Sequence, residues 1–173
     1  MNISGLNLEK KVNILPSDAL IIVDMQNDFI PGGALAVKGG HEIIQGINQV
    51  AEIFKRRGAR IILTQDWHLP NHKSFASAHP GKKPFDAYST VGIGPVLWPD
   101  HCVQGEKGAE FSKQLNTKLA DAIIRKGMNP EIDSYSTFLE NDKKSETGLS
   151  GYLKSLRISR FFFCGRALDY CVY

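Results

Sequence analysis

Four short apolar runs recur along the chain, and their spacing predicts a parallel β-sheet. Residues 19–23 (ALIIV) form a continuous, largely β-branched run, which is typical of a strand buried on both faces. Three further runs have the length of strands: residues 60–64 (RIILT), 122–125 (AIIR) and 160–164 (RFFFC). The polar stretches between them are long enough to hold the crossover connections that parallel strands need.

Helical periodicity lies between these runs. Apolar side chains recur about every 3.6 residues from His41 to Arg57, and Gly58 follows as a stop signal. We also expect helices over residues 110–119 and 149–156. Strands alternating with helices indicate the α/β class, here a three-layer α/β/α arrangement around a mostly parallel sheet.

One long segment, residues 67–108, has no clean period. It contains four of the five histidines, both tryptophans and most of the prolines. Long irregular segments inside a compact domain are usually functional.

Composition narrows the function classes. Of the 173 residues, 42% are apolar and 23% are charged, which is typical of a folded globular domain. The net charge is +3 and the basic residues are scattered, so neither nucleic acid nor a membrane surface is an expected partner. No secretory signal is visible, and three cysteines are better suited to free thiols in a reducing cytoplasm than to a disulfide framework.

In a parallel sheet the ligand site lies beyond the carboxyl ends of the strands. Those ends are marked by Asp24, Asp66, Lys126 and the segment 165–171, so a carboxylate, a thiol and an ammonium are expected at one edge. A cysteine nucleophile needs a base, and Asp24 is placed to serve Cys171, with Lys126 adding positive charge. The alternatives are a packed core cysteine, a capping aspartate and a surface lysine.

The segment Asp66-Trp67-His68 carries two ligand-type side chains at i and i+2, which point the same way on an extended strand. Together with His101 they could form a site of one carboxylate and two imidazoles, compatible with Zn, Mn or Fe. His72 and His79 are further candidates in the same segment. The alternative for each histidine is an ordinary position on a loop surface.

Aromatic residues close to these groups could line a pocket for a flat ring, although simple core packing explains each of them as well. They are Phe29, Trp67, Trp98, Tyr135 and Phe138.

Taken together and in this order, the motifs resemble the nicotinamidase/pyrazinamidase family within the isochorismatase-like cysteine hydrolases. The matching stretches are IIVDMQNDFIPGGALAV (21–37), TQDWHLPNHKSFAS (64–77), LWPDHCVQG (97–105), RKGMNPEIDSYSTF (125–138) and DYCV (169–172). The resemblance runs from about Ala19 to the end and implies an isochorismatase-like, Rossmann-like fold.

The resemblance also implies a reaction, in which nicotinamide and water give nicotinate and ammonia through a cysteine thioester, within NAD salvage. Pyrazinamide is a second expected substrate. The implied triad consists of Cys171 as nucleophile, Asp24 as general base and Lys126 as third member. The implied ligands of one divalent metal, expected to be zinc, are Asp66, His68 and His101. Phe29 and Trp98 are the implied ring-packing residues, beside the aromatic candidate Tyr135, and the backbone N–H groups of Ala167 and Cys171 are the implied oxyanion hole. The fourth protein ligand of the metal varies in the family, and His72 or Ser74 is the nearest candidate in this chain. The resemblance also implies a cis peptide bond between Arg166 and Ala167.

The chain departs from the family pattern in two places. Arg166 and Leu168 replace an aliphatic residue and a threonine before the nucleophile. We also expect a single domain over residues 1–173 that ends soon after the nucleophile segment, without the family's C-terminal strands. The competing hypotheses are an inactive remnant that binds metal or nicotinamide only, and a relative that acts on another amide or an enol ether. A homo-oligomer that completes the shortened chain is a further expectation of the active-enzyme hypothesis.

Overall fold

The computed structural model describes residues 11–166 and residue 171. Its main elements are β1 (Asp18–Val23), α1 (Ile44–Arg56), β2 (Arg60–Asp66), β3 (Ala122–Lys126), α2 (Leu149–Ser155) and β4 (Arg160–Gly165). Single 3-10 turns lie at Asn27–Phe29, Ala76–Ala78, Lys107–Ala109 and Thr117–Leu119.

The four strands form one parallel sheet in the order β3-β2-β1-β4. Strand β1 is central, and all six of its residues are buried. Ile21 lies opposite Ile62 on one side and opposite Phe163 on the other. The four predicted strands and their parallel arrangement are therefore confirmed.

Alternate residues of the central strands face opposite layers, as the two-residue period of a strand requires. Leu20, Ile22 and Ile61 pack in the cluster that contains the buried face of α1. Ile21 and Ile62 pack against Leu149 and Leu153 of α2 on the other side. Helices thus cover both faces, and the predicted three-layer α/β/α architecture is confirmed.

The predicted helix over residues 110–119 is wrong. Only the short turn Thr117–Leu119 has helical character in this range. The backbone N–H groups here bond to neighbouring segments, since Ser112 donates to the Met25 carbonyl at 2.9 Å and Asn116 donates to Asn48 Oδ1 at 2.9 Å. These bonds replace the internal ladder that a helix would form.

Within residues 11–166, no helix combines the length and the apolar character that crossing a membrane would require.

Candidate active site

The candidate site lies at the edge where all four strands end. Asp66 and Lys126 are the last residues of β2 and β3, and Asp24 directly follows β1. A cleft of about 680 Å³ opens at this edge, with Asp66, Gly165 and Cys171 among its lining residues. The position is the one expected for a ligand in a parallel sheet.

Lys126 is the electrostatic centre of the site. Its ammonium group is fully buried and lies 3.0 Å from Asp24 Oδ2 and against Asp66 Oδ1. It also donates to the Ser134 carbonyl at 2.9 Å. Burial alone would lower the pKa of Lys126, but the two carboxylates outweigh it and raise this pKa well above the usual range. The side chain is therefore a permanent cation between two acids.

Asp24 is held by its neighbours in an unusual backbone conformation, with φ at 49°. The Thr64 hydroxyl donates to Asp24 Oδ1 at 2.7 Å. Oδ2 faces Lys126 as an ion pair without an aligned hydrogen bond, and it has no other hydrogen-bond partner among the described residues. Burial, together with the nearby Asp66 charge, raises the pKa of Asp24 despite the opposing effect of Lys126.

Cys171 reaches the same group of side chains. Its Sγ lies 3.9 Å from Lys126 Nζ. Acid oxygens of Asp24 and Asp66 and this sulfur all lie within 4.8 Å of one another. The expected nucleophile, base and lysine are therefore neighbours in space, although they are more than 40 residues apart in the chain.

A second set of ligand-type atoms belongs to Asp66, His68 and His101, again within 4.8 Å of one another. The Nδ1 atoms of the two imidazoles lie 3.1 Å from the Gly127 carbonyl and 2.8 Å from the Pro99 carbonyl. Because a carbonyl can only accept, both Nδ1 atoms carry hydrogen and both Nε2 lone pairs are left for a metal ion.

The electrostatics of this set also fit a divalent metal. Burial, followed by repulsion from His101, lowers the pKa of His68 well below its usual value, so the ring is neutral and able to coordinate. Gln26 fixes the backbone of Asp66 from both sides: its Oε1 accepts the Asp66 N–H at 2.8 Å and its Nε2 donates to the Asp66 carbonyl at 2.7 Å. A carboxylate with two imidazoles suits zinc and related transition metals.

The other two histidine candidates do not join the set. His72 Nε2 donates to the Asn129 carbonyl at 2.8 Å, and its Nδ1 lies 2.8 Å from the Ser74 hydroxyl, so neither nitrogen has a free lone pair. Ser74 is engaged by the same contact. His79 bonds to the Lys73 carbonyl at 2.8 Å, outside the cluster.

Three of the five aromatic candidates line the cleft: Phe29, Trp98 and Tyr135. Trp98 Nε1 donates to the Tyr135 hydroxyl at 3.1 Å, which donates in turn to the Gly94 carbonyl at 2.8 Å. The remaining two are used elsewhere. Phe138 packs against Phe161 and Phe163, and Trp67 stacks under the Arg125 guanidinium.

Several residues of the site were not identified from the sequence. Asp133 lines the cleft as a buried carboxyl whose Oδ1 accepts the Ser134 N–H at 2.9 Å, while Oδ2 has no hydrogen-bond partner among the described residues. Burial and the Asp66 charge raise the pKa of Asp133 to about 6. Thr64 and Gln26 were also missed. Thr64 could have been identified, because it is a polar residue near the end of the predicted strand β2. Polar residues in loops, such as Asp133 and Gln26, show no comparable sequence pattern.

The remaining predictions for this region fall outside the described residues. They are the oxyanion-hole role of the Ala167 N–H, the cis peptide between Arg166 and Ala167, and any helix that follows Cys171.

Comparison with known proteins gives concordant matches. The sequence model of the isochorismatase domain family matches residues 18–173 of this chain. The nicotinamidase of Acinetobacter baylyi is 49% identical over 166 residues, and the match covers 95% of this chain and 75% of that protein. The nicotinamidase of Escherichia coli is 42% identical over 158 residues, covering 91% of this chain and 74% of that protein. The chain thus spans about three quarters of the length of these relatives.

Solved structures agree with the sequence relatives. A nicotinamidase/pyrazinamidase from Acinetobacter baumanii superimposes with a TM-score of 0.85 at 49% identity, covering 91% of this chain and 74% of that one. A protein from L. infantum in complex with nicotinate has a TM-score of 0.77 at 42% identity, covering 93% and 73%. A pyrazinamidase from Pyrococcus horikoshii in complex with zinc has a TM-score of 0.70 at 39% identity, covering 91% and 74%.

Proposed function

The chain belongs to the isochorismatase family, and on this premise we propose that it is a metal-dependent nicotinamidase. The observation that carries the proposal is the position of Lys126, which contacts Asp24 and Asp66 and lies 3.9 Å from the Cys171 sulfur. One lysine thus joins a thiol and its base to the carboxylate of a metal site. The relatives named above supply the substrate class.

The first half of the reaction forms a thioester. Asp24 takes the Cys171 proton, because one of its carboxylate oxygens lies within 4.8 Å of the sulfur and its raised pKa suits it to proton exchange. The thiolate attacks the carboxamide carbon of nicotinamide. The C–N bond then breaks, and Asp24 returns the proton to the leaving nitrogen, so that ammonia departs.

The second half consumes water. Asp24 removes a proton from a water molecule, the hydroxide adds to the thioester carbon, and the C–S bond breaks to release nicotinic acid, which loses its proton to solvent as nicotinate. The sulfur regains the proton, so the enzyme returns to its starting state. Lys126 stays protonated throughout and stabilises the thiolate and the carboxylate that exchange the proton.

Asp66, His68 and His101 would hold one divalent ion, for which zinc is our first choice and manganese or iron are compatible. When bound, the ion supplies a Lewis-acid anchor for the ring nitrogen of the substrate. Phe29, Trp98 and Tyr135 pack around the ring in the cleft. Pyrazinamide has the same carboxamide on a similar flat ring, so we propose it as a second substrate.

The negative charge that develops on the carbonyl oxygen needs donors. We assign this role to the backbone N–H groups of Ala167 and Cys171, which follows the family motif. We also place the protein in the cytoplasm, since the low and odd number of three cysteines does not suit a disulfide framework.

The test is ammonia release from nicotinamide by the zinc-loaded protein and by Cys171→Ala. The variant should lose on the order of a thousandfold or more in rate, because the nucleophile is removed. Cys164→Ala is the matched control, since this thiol lies in β4 and is not among the residues lining the cleft, and it should retain activity.

A chelator should abolish release, and added zinc should restore it. Equal release by the wild type and Cys171→Ala would contradict the proposal. Folded wild type that binds nicotinamide without releasing ammonia would instead identify an inactive binding protein.

A further inference from the structure

Arg166 introduces a positive charge into the cleft. The residue directly follows β4 and lines the cleft together with Cys171. It is only 7% exposed. A guanidinium group in such a position is desolvated, which costs free energy unless a partner compensates.

Compensation from the described part of the chain is incomplete. Nη1 donates to the Lys38 carbonyl at a long 3.5 Å, and Nε is buried without a hydrogen-bond partner among the described residues. No carboxylate oxygen of those residues comes within ion-pair distance of Arg166. Burial lowers the pKa of Arg166, and the more distant Glu42 charge only partly opposes this.

The residues around Arg166 form one part of the cleft wall. The tip of the side chain lies against Gly40, where an added Cβ would stand 3.1 Å from Nη2. Lys38, Gly39 and Glu42 are cleft-lining residues beside Arg166, and Asp66 and His101 line the same cleft. Two cations against one carboxylate give the part of the wall around Arg166 a net positive charge.

We propose that Arg166 forms a carboxylate-binding subsite in the cleft. A carboxylate is the natural partner because its two oxygens match the planar N–H donors of arginine and supply the missing charge. The carboxylate has two chemical sources: the acid product of amide hydrolysis, or an acidic substituent on the amide substrate. The inference rests on the proposed function only in treating the cleft as the binding site of the pyridine ring.

Each source has a kinetic consequence. If the product carboxylate binds Arg166, nicotinate is retained and inhibits its own formation. If a substituent binds there, the enzyme prefers amides that carry an acidic group over nicotinamide itself. Neutral amides gain little from Arg166 in either case.

The test is calorimetric binding of three ligands to the zinc-loaded Cys171→Ala protein, which lacks the nucleophile and cannot consume the amides: nicotinate, nicotinamide and 5-carbamoylpyridine-3-carboxylate. Arg166→Met should weaken binding of an anionic ligand by about tenfold or more, as loss of a charge-assisted bond predicts. Nicotinamide affinity should change less than threefold. Arg56→Met is the matched control, because it removes one positive charge from an exposed position at the end of α1.

The three ligands separate the sources. Weakened nicotinate binding identifies the product, and weakening confined to the carbamoyl acid identifies a substituent. Equal weakening of all three ligands, or none, overturns the proposal. Arg166→Gln is a second neutral variant should Arg166→Met fail to fold, as judged by its unfolding midpoint. Because binding is measured without turnover, an inactive protein that still discriminates carboxylates would reject the proposed function and keep this subsite.

Discussion

Two buried carboxyl groups in the region of the candidate active site differ in the partners they have. Asp24 contacts the Lys126 ammonium and accepts a hydrogen bond from Thr64. Asp133 accepts one backbone hydrogen bond through Oδ1, and its Oδ2 has no hydrogen-bond partner among the described residues. An ionised carboxylate without a partner is costly inside a protein, so Asp133 favours its protonated form.

The pKa of about 6 for Asp133 gives stability a defined pH dependence. Because the folded-state pKa lies above the unfolded value of 3.8, Asp133 stabilises the fold most below pH 3.8. This contribution is lost as pH rises through about 6. Asp133→Asn cannot ionise and should escape that loss. Its stability relative to wild type should rise by roughly 2 kcal/mol between pH 4 and pH 7.5.

Urea unfolding of the metal-free proteins at both pH values measures the difference. Glu131→Gln is the control, since Glu131 is an exposed acid two residues away, and its effect should be small and equal at both pH values. A pH-independent difference for Asp133→Asn would contradict the expectation.

At the scale of elements, the end of β3 determines how the metal ligands are arranged. Lys126 closes the strand, and Gly127 then turns the chain at φ 68°. A Cβ on Gly127 would lie 2.5 Å from His68 Cε1, and the Gly127 carbonyl bonds the same ring. The turn therefore sets both the position and the tautomer of His68.

Gly127→Ala should displace the His68 ring and weaken zinc binding by tenfold or more, as loss of a partner around a metal ligand commonly does. Gly148→Ala is the matched control. Gly148 also has a positive φ, but it faces open space, so its variant should carry the backbone strain of about 1 kcal/mol without loss of zinc affinity. Zinc titrations of both variants decide the matter, and equal affinities would contradict the role of the turn.

At the scale of the whole molecule, the candidate metal site joins parts of the chain that the sheet alone does not connect. Asp66 ends β2, whereas His101 lies in the irregular segment 67–108. A ligand that binds only the folded state stabilises it, by about 2.7 kcal/mol at a hundredfold excess over its Kd. Zinc binding should therefore protect the fold as a whole.

Adding zinc to chelator-treated protein should raise the thermal unfolding midpoint by several degrees. His101→Ala should abolish most of this rise, because a ligand is lost. His79→Ala should retain it, since His79 lies in the same segment outside the cluster. Equal rises in both variants would place the ion elsewhere.

The sequence by itself determined the sheet and the residues at its edge. Continuous apolar runs such as residues 19–23 are typical of strands buried on both faces, so the strands and their parallel arrangement were predictable, whereas their order in the sheet was not predicted. Because parallel strands end at one edge, Asp24, Asp66 and Lys126 could be placed together without coordinates. Local patterns of this kind depend on neighbours along the chain.

Only the tertiary structure decided the features that depend on distant partners. Residues 110–119 have helical periodicity, yet their N–H groups bond to Met25 and Asn48 instead. The deep position of Asp133 depends on contacts that no local pattern reports. The same holds for His72, whose nitrogens are occupied by Asn129 and Ser74. Hydrogen bonds between segments are set by packing, and packing follows from the whole fold rather than from any one stretch of sequence.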